Sequence, residues 1–266
     1  MIKQIPNIFT LLNLFFGCLA IVAVLQTGLQ PVFKLTEQGF IIGDLDPFGR
    51  QYINIPPQIW LASLFIGLAA VIDFLDGFVA RLLKASSEMG KQLDSLADVV
   101  SFGVAPGMIV YEFLRLSYAQ QEDGLNINAL LLLPAFIIPC AGAYRLARFN
   151  IDTSLSNGFK GVPIPAAGLL IASFPLIFWY GSIGWAKTEL ISPWFWYGLI
   201  LIVSGLMVSR LPMLALKFTH INLKKMLPFI ILGVIGIVGG VVAGWLAVPL
   251  VFIAYVILSL FYKNRI

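Results

Sequence analysis

An all-α, polytopic integral-membrane helix bundle is the fold class that this 266-residue sequence predicts. Three observations carry that expectation. Hydrophobic residues make up 59% of the chain and charged residues only 11%, against ~45–50% and ~25% in soluble domains. The mean hydropathy is +0.93. The charges are also gathered between long uncharged runs. A surface so poor in charge does not hold a chain of this length in water, which excludes secreted disulfide scaffolds and disordered tails. The net charge of +4 is scattered between apolar runs and forms no patch, so no nucleic acid is expected as a partner.

A membrane-crossing helix needs ~20 mostly apolar residues; six uncharged runs, the last divided in two, and Ser95–Leu116, apolar apart from three charges, together supply eight candidates. They lie near residues 6–26, 59–82, 95–116, 128–149, 163–182, 194–212, 226–243 and 247–262. The first follows Lys3 and looks superficially like a signal peptide. Its apolar segment is longer than an h-region and seven spans follow, so it is expected to be retained. The final uncharged stretch is too long for one crossing. Gly239, Gly240, Gly244 and Pro249 interrupt it, which predicts two short spans joined by a tight hairpin. The segment 27–58, with Glu37, Asp44 and Asp46, reads as a small outer cap without chemistry.

Eight spans put both termini on one side of the membrane. With the termini in the cytoplasm, 13 of the 17 Lys and Arg residues face inward and only Lys34, Arg50, Arg115 and Lys187 face outward. That asymmetry satisfies the positive-inside rule and predicts a multi-pass protein of the cell (inner) membrane with cytoplasmic termini.

Little other chemistry is available. Cys18 and Cys140 sit in apolar runs and are expected to be small buried residues rather than a disulfide. His220 is the only histidine and cannot build a His-based metal site alone. Catalysis must therefore come from carboxylates, Lys and Arg.

Four of the 13 acids, Asp73, Asp76, Asp94 and Asp98, fall in or beside the second and third spans. Carboxylates there are costly and point to function. Asp73 and Asp76 are roughly 60° apart around a helix, and Asp94 and Asp98 roughly 40°. Each pair therefore leaves one helix face. The short connection from Leu82 to Lys91 makes the two helices antiparallel neighbours, so the pairs can converge at the inner surface. Carboxylates converging at low dielectric repel one another unless cations neutralise them. All-oxygen ligation suits Mg²⁺ or Mn²⁺, and two such ions form a common clamp for displacement at phosphorus. Gly77 and Ala80 lie on the acid-bearing face and leave room for a large ligand. Arg81 stands one turn beyond Asp76 and Gly77, placed to fork onto phosphate oxygens. Gly90 allows the third span to pack closely or to start sharply. Taken alone, the acids would also suit ion-paired glue between helices or the relay of a cation-coupled membrane transporter.

The run Asp73-x₂-Asp76-Gly77-x₂-Ala80-Arg81-x₈-Gly90-x₃-Asp94-x₃-Asp98 resembles the signature of the CDP-alcohol phosphotransferase family at every position. The resemblance implies a metal-dependent enzyme that transfers a phosphatidyl-type group from a CDP-linked donor to an alcohol, releasing CMP. It implies that Asp73, Asp76, Asp94 and Asp98 hold two divalent ions and that Asp98 also takes the proton of the acceptor hydroxyl. Gly77, Ala80 and Arg81 would line the CDP site, with Arg81 at the pyrophosphate. A homodimer would be in keeping with the family.

Within that family, Pro6-Asn7-x₂-Thr10-x₂-Asn13, Ser101–Pro106, Arg145–Asn150 and Phe159–Ala166 are similar to the branch that uses serine. The similarity covers roughly residues 5–170. It implies CDP-diacylglycerol and L-serine as substrates and phosphatidylserine as product, in phospholipid biosynthesis at the lipid bilayer. Glycerol phosphate and inositol phosphate are the alternative acceptors. Arg145, Arg148 and Lys160 lie at one cytoplasmic end, where one of them would meet the serine carboxylate or the lipid phosphate; anionic-headgroup attraction and orientation are the competing role. Asn13 would hydrogen-bond near the nucleotide or between helices. The expected division is a catalytic membrane domain over 1–182, with 183–266 adding helices packed on the same bundle.

Overall fold

The computed structural model describes residues 5–26, 58–83, 87–119, 127–151, 159–181, 183–214 and 223–261. The expected outer cap (apart from Gln58), His220, Lys34 and Arg50 lie outside the described residues.

Among the described residues the architecture is helical, apart from one two-residue strand pair and the connecting turns. Helix α1 (Ile5–Leu25) packs along α2 (Ile59–Leu82) and against α3 (Glu88–Asp98). A π-helical turn, Val99–Val104, continues α3 into α4 (Ala105–Ala119). Two 3₁₀ turns lead into α5 (Ile137–Ile151). Then follow β1 (Phe159–Lys160), α6 (Ile164–Tyr180), α7 (Gly184–Leu190), α8 (Pro193–Val208), β2 (Pro212–Met213), α9 (Leu223–Ala243) and α10 (Ala247–Phe261). The strands pair antiparallel, Phe159 opposite Met213 and Lys160 opposite Pro212.

All eight expected segments are helical, yet the number long and apolar enough to cross a bilayer is smaller. Among the described residues, five stretches qualify: Pro6–Leu25, Ile59–Leu82, Glu88–Ala119, Ala129–Ile151 and Met226–Phe261. A sixth is added if α7 and α8, bent by 78°, count as one. The difference is one of length. Helix α6 has 17 residues and α10 has 15, roughly 26 Å and 22 Å at 1.5 Å per residue, short of a ~30 Å hydrocarbon core. The stretch Met226–Phe261 folds back on itself at Gly244, whose φ of +58° suits glycine. A Cβ on Gly239 would lie 3.2 Å from the Ala247 Cβ, and one on Gly236 would lie 3.5 Å from Val251. That descending pairing makes α9 and α10 an antiparallel hairpin.

The third span begins at Glu88, seven residues before its apolar run. Ser87 starts it by accepting a hydrogen bond from the Gly90 N–H at 3.0 Å, an N-cap that an apolar window does not register. Asp94 therefore sits inside a formed helix. The π turn precedes Pro106, which lacks an N–H and whose ring crowds the preceding turn of a regular helix; widening the helix here accommodates it.

The tightest contact around that turn is at α1. A Cβ on Gly17 would fall 2.4 Å from the Ser101 Oγ and 2.8 Å from its Cα, so only glycine lets these backbones approach. Small residues at crossings are the usual means of packing helices in lipid. Further out, Phe113 stacks on the fully buried Trp196 at 4.8 Å, whose indole N–H donates to the Leu190 carbonyl at 2.9 Å. Cys18 and Cys140 correct one expectation, since both are exposed. In a bilayer an apolar run can face lipid and has no need of burial in protein.

Candidate active site

Helices α2 and α3 bring three of the four aspartates together. One carboxylate oxygen each from Asp73, Asp94 and Asp98 lie within 4.8 Å of one another. Asp76 stands beside the group on α2 and is buried. Its Oδ2 accepts the hydroxyl hydrogen bond of Thr10, while its Oδ1 is buried without a hydrogen-bond partner. The four acids thus divide into a cluster of three and a fourth held to one side by α1.

A cavity of about 530 Å³ opens next to them. Asp73, Asp76, Gly77, Ala80 and Arg81 from α2, Gly90, Lys91 and Asp94 from α3, and Pro6, Asn7 and Thr10 from α1 form its walls. A Cβ on Gly77 would meet nothing within 4 Å, so the space above Gly77 belongs to the cavity. Gly90 differs: a Cβ there would come within 3.1 Å of the Asn7 Oδ1 and the Ser87 Oγ.

Asp98 lies deeper, behind this cavity, and is 7% exposed. The Asn13 side-chain amide donates to its Oδ1 at 3.3 Å. The Asn13 backbone carbonyl accepts from the Ser101 hydroxyl at 3.0 Å, while the Asn13 Oδ1 is buried without a hydrogen-bond partner. Nearer the start of α3, Asn150 at the end of α5 donates to the Ser95 Oγ at 2.8 Å, and Lys91 donates to the Asn150 carbonyl at 3.3 Å.

The three basic candidates separate clearly. Arg145 is buried, close enough to Asp98 for their charges to interact, and its Nε has no hydrogen-bond partner. Its guanidinium also lies 5.8 Å from the centre of the Phe149 ring. Arg148 instead donates to the Val208 and Ser209 carbonyls at 2.7 and 2.9 Å. It thereby caps the C-terminus of α8, where a cation is favourable. Lys160 sits on β1, paired with Pro212. Sequence spacing gave no individual role to Thr10, Asn7, Ser87, Lys91, Asn150 or Ser101. The 3- and 4-residue steps Asn7, Thr10, Asn13 and Gly17 on α1 were the available signal, since they mark one helix face.

The acid cluster fits a hard cation. Bare carboxylates at this separation in a mostly buried site repel strongly, all donors are oxygens, and the orphaned Asp76 Oδ1 is an acceptor without a protein donor. A cluster of acids able to hold a metal, an adjoining cavity and an arginine at its rim make an arrangement suited to transfer at phosphorus.

Comparison with known proteins agrees. The model of the CDP-alcohol phosphatidyltransferase family matches residues 3–262, and the chain belongs to that family. It is 36% identical over 169 residues to the CDP-diacylglycerol–serine O-phosphatidyltransferase of Helicobacter pylori strain J99, covering 63% of this chain and 66% of the relative. It is 39% identical over 161 residues to the Bacillus subtilis protein of the same name, covering 56% and 80%. An archaetidylserine synthase from Methanothermobacter thermautotrophicus is 37% identical over 133 residues, covering 49% and 53%. The aligned part thus spans between about half and four fifths of each relative's length.

Proposed function

We propose that this protein is a CDP-diacylglycerol–serine O-phosphatidyltransferase. The observation that carries the proposal is the convergence of Asp73, Asp94 and Asp98, from two helices, beside a cavity walled by Asp76, Gly77, Ala80 and Arg81. The names of the relatives support L-serine as the acceptor and CDP-diacylglycerol as the donor.

Asp73, Asp76, Asp94 and Asp98 would hold two divalent ions, Mg²⁺ or Mn²⁺. When bound, the metal supplies charge neutralisation and Lewis-acid polarisation of the phosphate oxygens. Gly77 and Ala80 leave room for the CDP group, and Arg81 binds the pyrophosphate. Gly90 and Ser87 shape the start of α3 beneath it. The donor enters from the inner leaflet. An apolar cavity of about 680 Å³, floored by Leu64, Leu68 and Val71 of α2 against α6, is suited to one of its acyl chains. Arg145 is the best-placed group for the serine carboxylate, because Arg148 is engaged by α8. Asn13 and Lys160 act outside direct substrate contact.

Asp98 accepts the proton of the serine hydroxyl. The oxygen bonds to the β-phosphorus as the bond to CMP breaks, and CMP leaves. Positioning and electrostatic stabilisation supply most of the rate. Residues 1–182 form the catalytic part and 183–266 pack on it, with the active site and both termini on the cytoplasmic side of the inner membrane.

Purified protein with CDP-diacylglycerol and Mn²⁺ is expected to release CMP and form phosphatidylserine only when L-serine is present, and to stop on adding chelator. Release driven by glycerol phosphate or inositol phosphate, with none from serine, would overturn the acceptor. No release with any of the three would overturn the enzymatic assignment.

A further inference from the structure

We propose that α1 sets the geometry of the acidic centre through Thr10 and Asn13, two positioning residues that act on Asp76 and Asp98. The proposal rests on the metal-holding role assigned above to the four aspartates.

The acids belong to two different helices, so a third element is needed to fix one set against the other. Helix α1 reaches both. Thr10 and Asn13 are 2% and 0% exposed and stand three residues apart, roughly 60° around the helix. Thr10 donates its hydroxyl proton to the Asp76 Oδ2 on α2. Asn13 donates an amide proton to the Asp98 Oδ1 on α3. The same Asn13 is anchored through its backbone carbonyl to Ser101 in the π turn, and Gly17 lets α1 press against that serine.

Each donated bond occupies one oxygen of a carboxylate and restricts rotation of the group. At Asp76 the result is visible: one oxygen is held by Thr10 and the other is buried without a protein partner. The Asn13 Oδ1, buried without a hydrogen-bond partner, faces no protein donor and is an oxygen of the kind hard cations accept. Through the Thr10 hydroxyl proton and the Asn13 N–H₂, both residues act on the aspartates. Partners of this kind typically change metal affinity by ~10–100-fold when removed.

The test is Mn²⁺ titration of the full-length protein in detergent, with free ion followed by electron paramagnetic resonance. Thr10→Val and Asn13→Leu are expected to weaken Mn²⁺ binding ~10–100-fold, and Thr10→Ser, which keeps the hydroxyl, to stay within about threefold of the parent. Parent-like Mn²⁺ affinity in Thr10→Val and Asn13→Leu would overturn the proposal, as would a Thr10→Ser variant no better than Thr10→Val. Asp94→Asn is titrated alongside. If it loses Mn²⁺ while the α1 variants keep it, only the role of α1 is overturned. If it binds Mn²⁺ as the parent does, the metal-holding role of the acids falls, and the positioning role with it.

Discussion

The span Glu88–Ala119 and the hairpin stretch Met226–Phe261 are both long apolar helical segments, but they meet their surroundings differently. In the most apolar window of the first, 56% of residues are buried within the protein; in the second, only 6%. The first carries Asp94, Asp98, Ser101, Glu112 and Ser117, and each of the last three has a partner: Ser101 on Asn13, Glu112 on Arg115 at 2.7 Å, and Ser117 on the Phe113 carbonyl. The second has no charged residue between Met226 and Phe261. In water, apolar content is a guide to burial. In a bilayer, lipid satisfies an apolar surface, and it is the polar groups that need protein around them. The chemistry accordingly sits where the polar residues are.

That contrast is open to direct attack. The largest expected effect is at Asp98. Replacing it with Asn removes the proposed base while keeping shape, so turnover should fall by about 10³-fold or more with CDP-diacylglycerol binding largely kept. Near-normal CMP release by that variant would show that another group takes the proton. A smaller effect separates two glycines. Gly17→Ala forces a Cβ onto Ser101 at 2.4 Å and should cost about 1–3 kcal/mol, as overpacking does. Gly240→Ala, whose Cβ meets nothing within 4 Å, should be neutral or stabilise α9 by up to ~1 kcal/mol. Thermal unfolding in detergent measures both, and equal shifts would remove the distinction between the packed core and the lipid-facing hairpin.

The same contrast explains what could be read without a structure. Asp73, Asp76, Asp94 and Asp98 were legible because charges in apolar runs are conspicuous and their spacing fixes a helix face. Helix positions were legible from uncharged runs, and the α9–α10 turn from its glycines. The start of α3 was not, because its first two turns are polar and depend on the Ser87 cap. Arg145 and Arg148 looked equivalent, since their division of labour is decided by where the end of α8 packs. Thr10 was hidden for a similar reason: a lone hydroxyl in an apolar helix gains meaning only from the carboxylate it meets across a helix interface.

The central claim is that α2 and α3 each contribute acids to one catalytic centre. A double-mutant cycle on Asp73→Asn and Asp94→Asn, read by Mn²⁺-dependent CMP release, tests it most directly. If the two act as a unit, each single variant loses activity by about 10³-fold or more and the double variant is scarcely worse than either. Losses that multiply in the double variant, or a single variant that keeps activity, would contradict a shared centre.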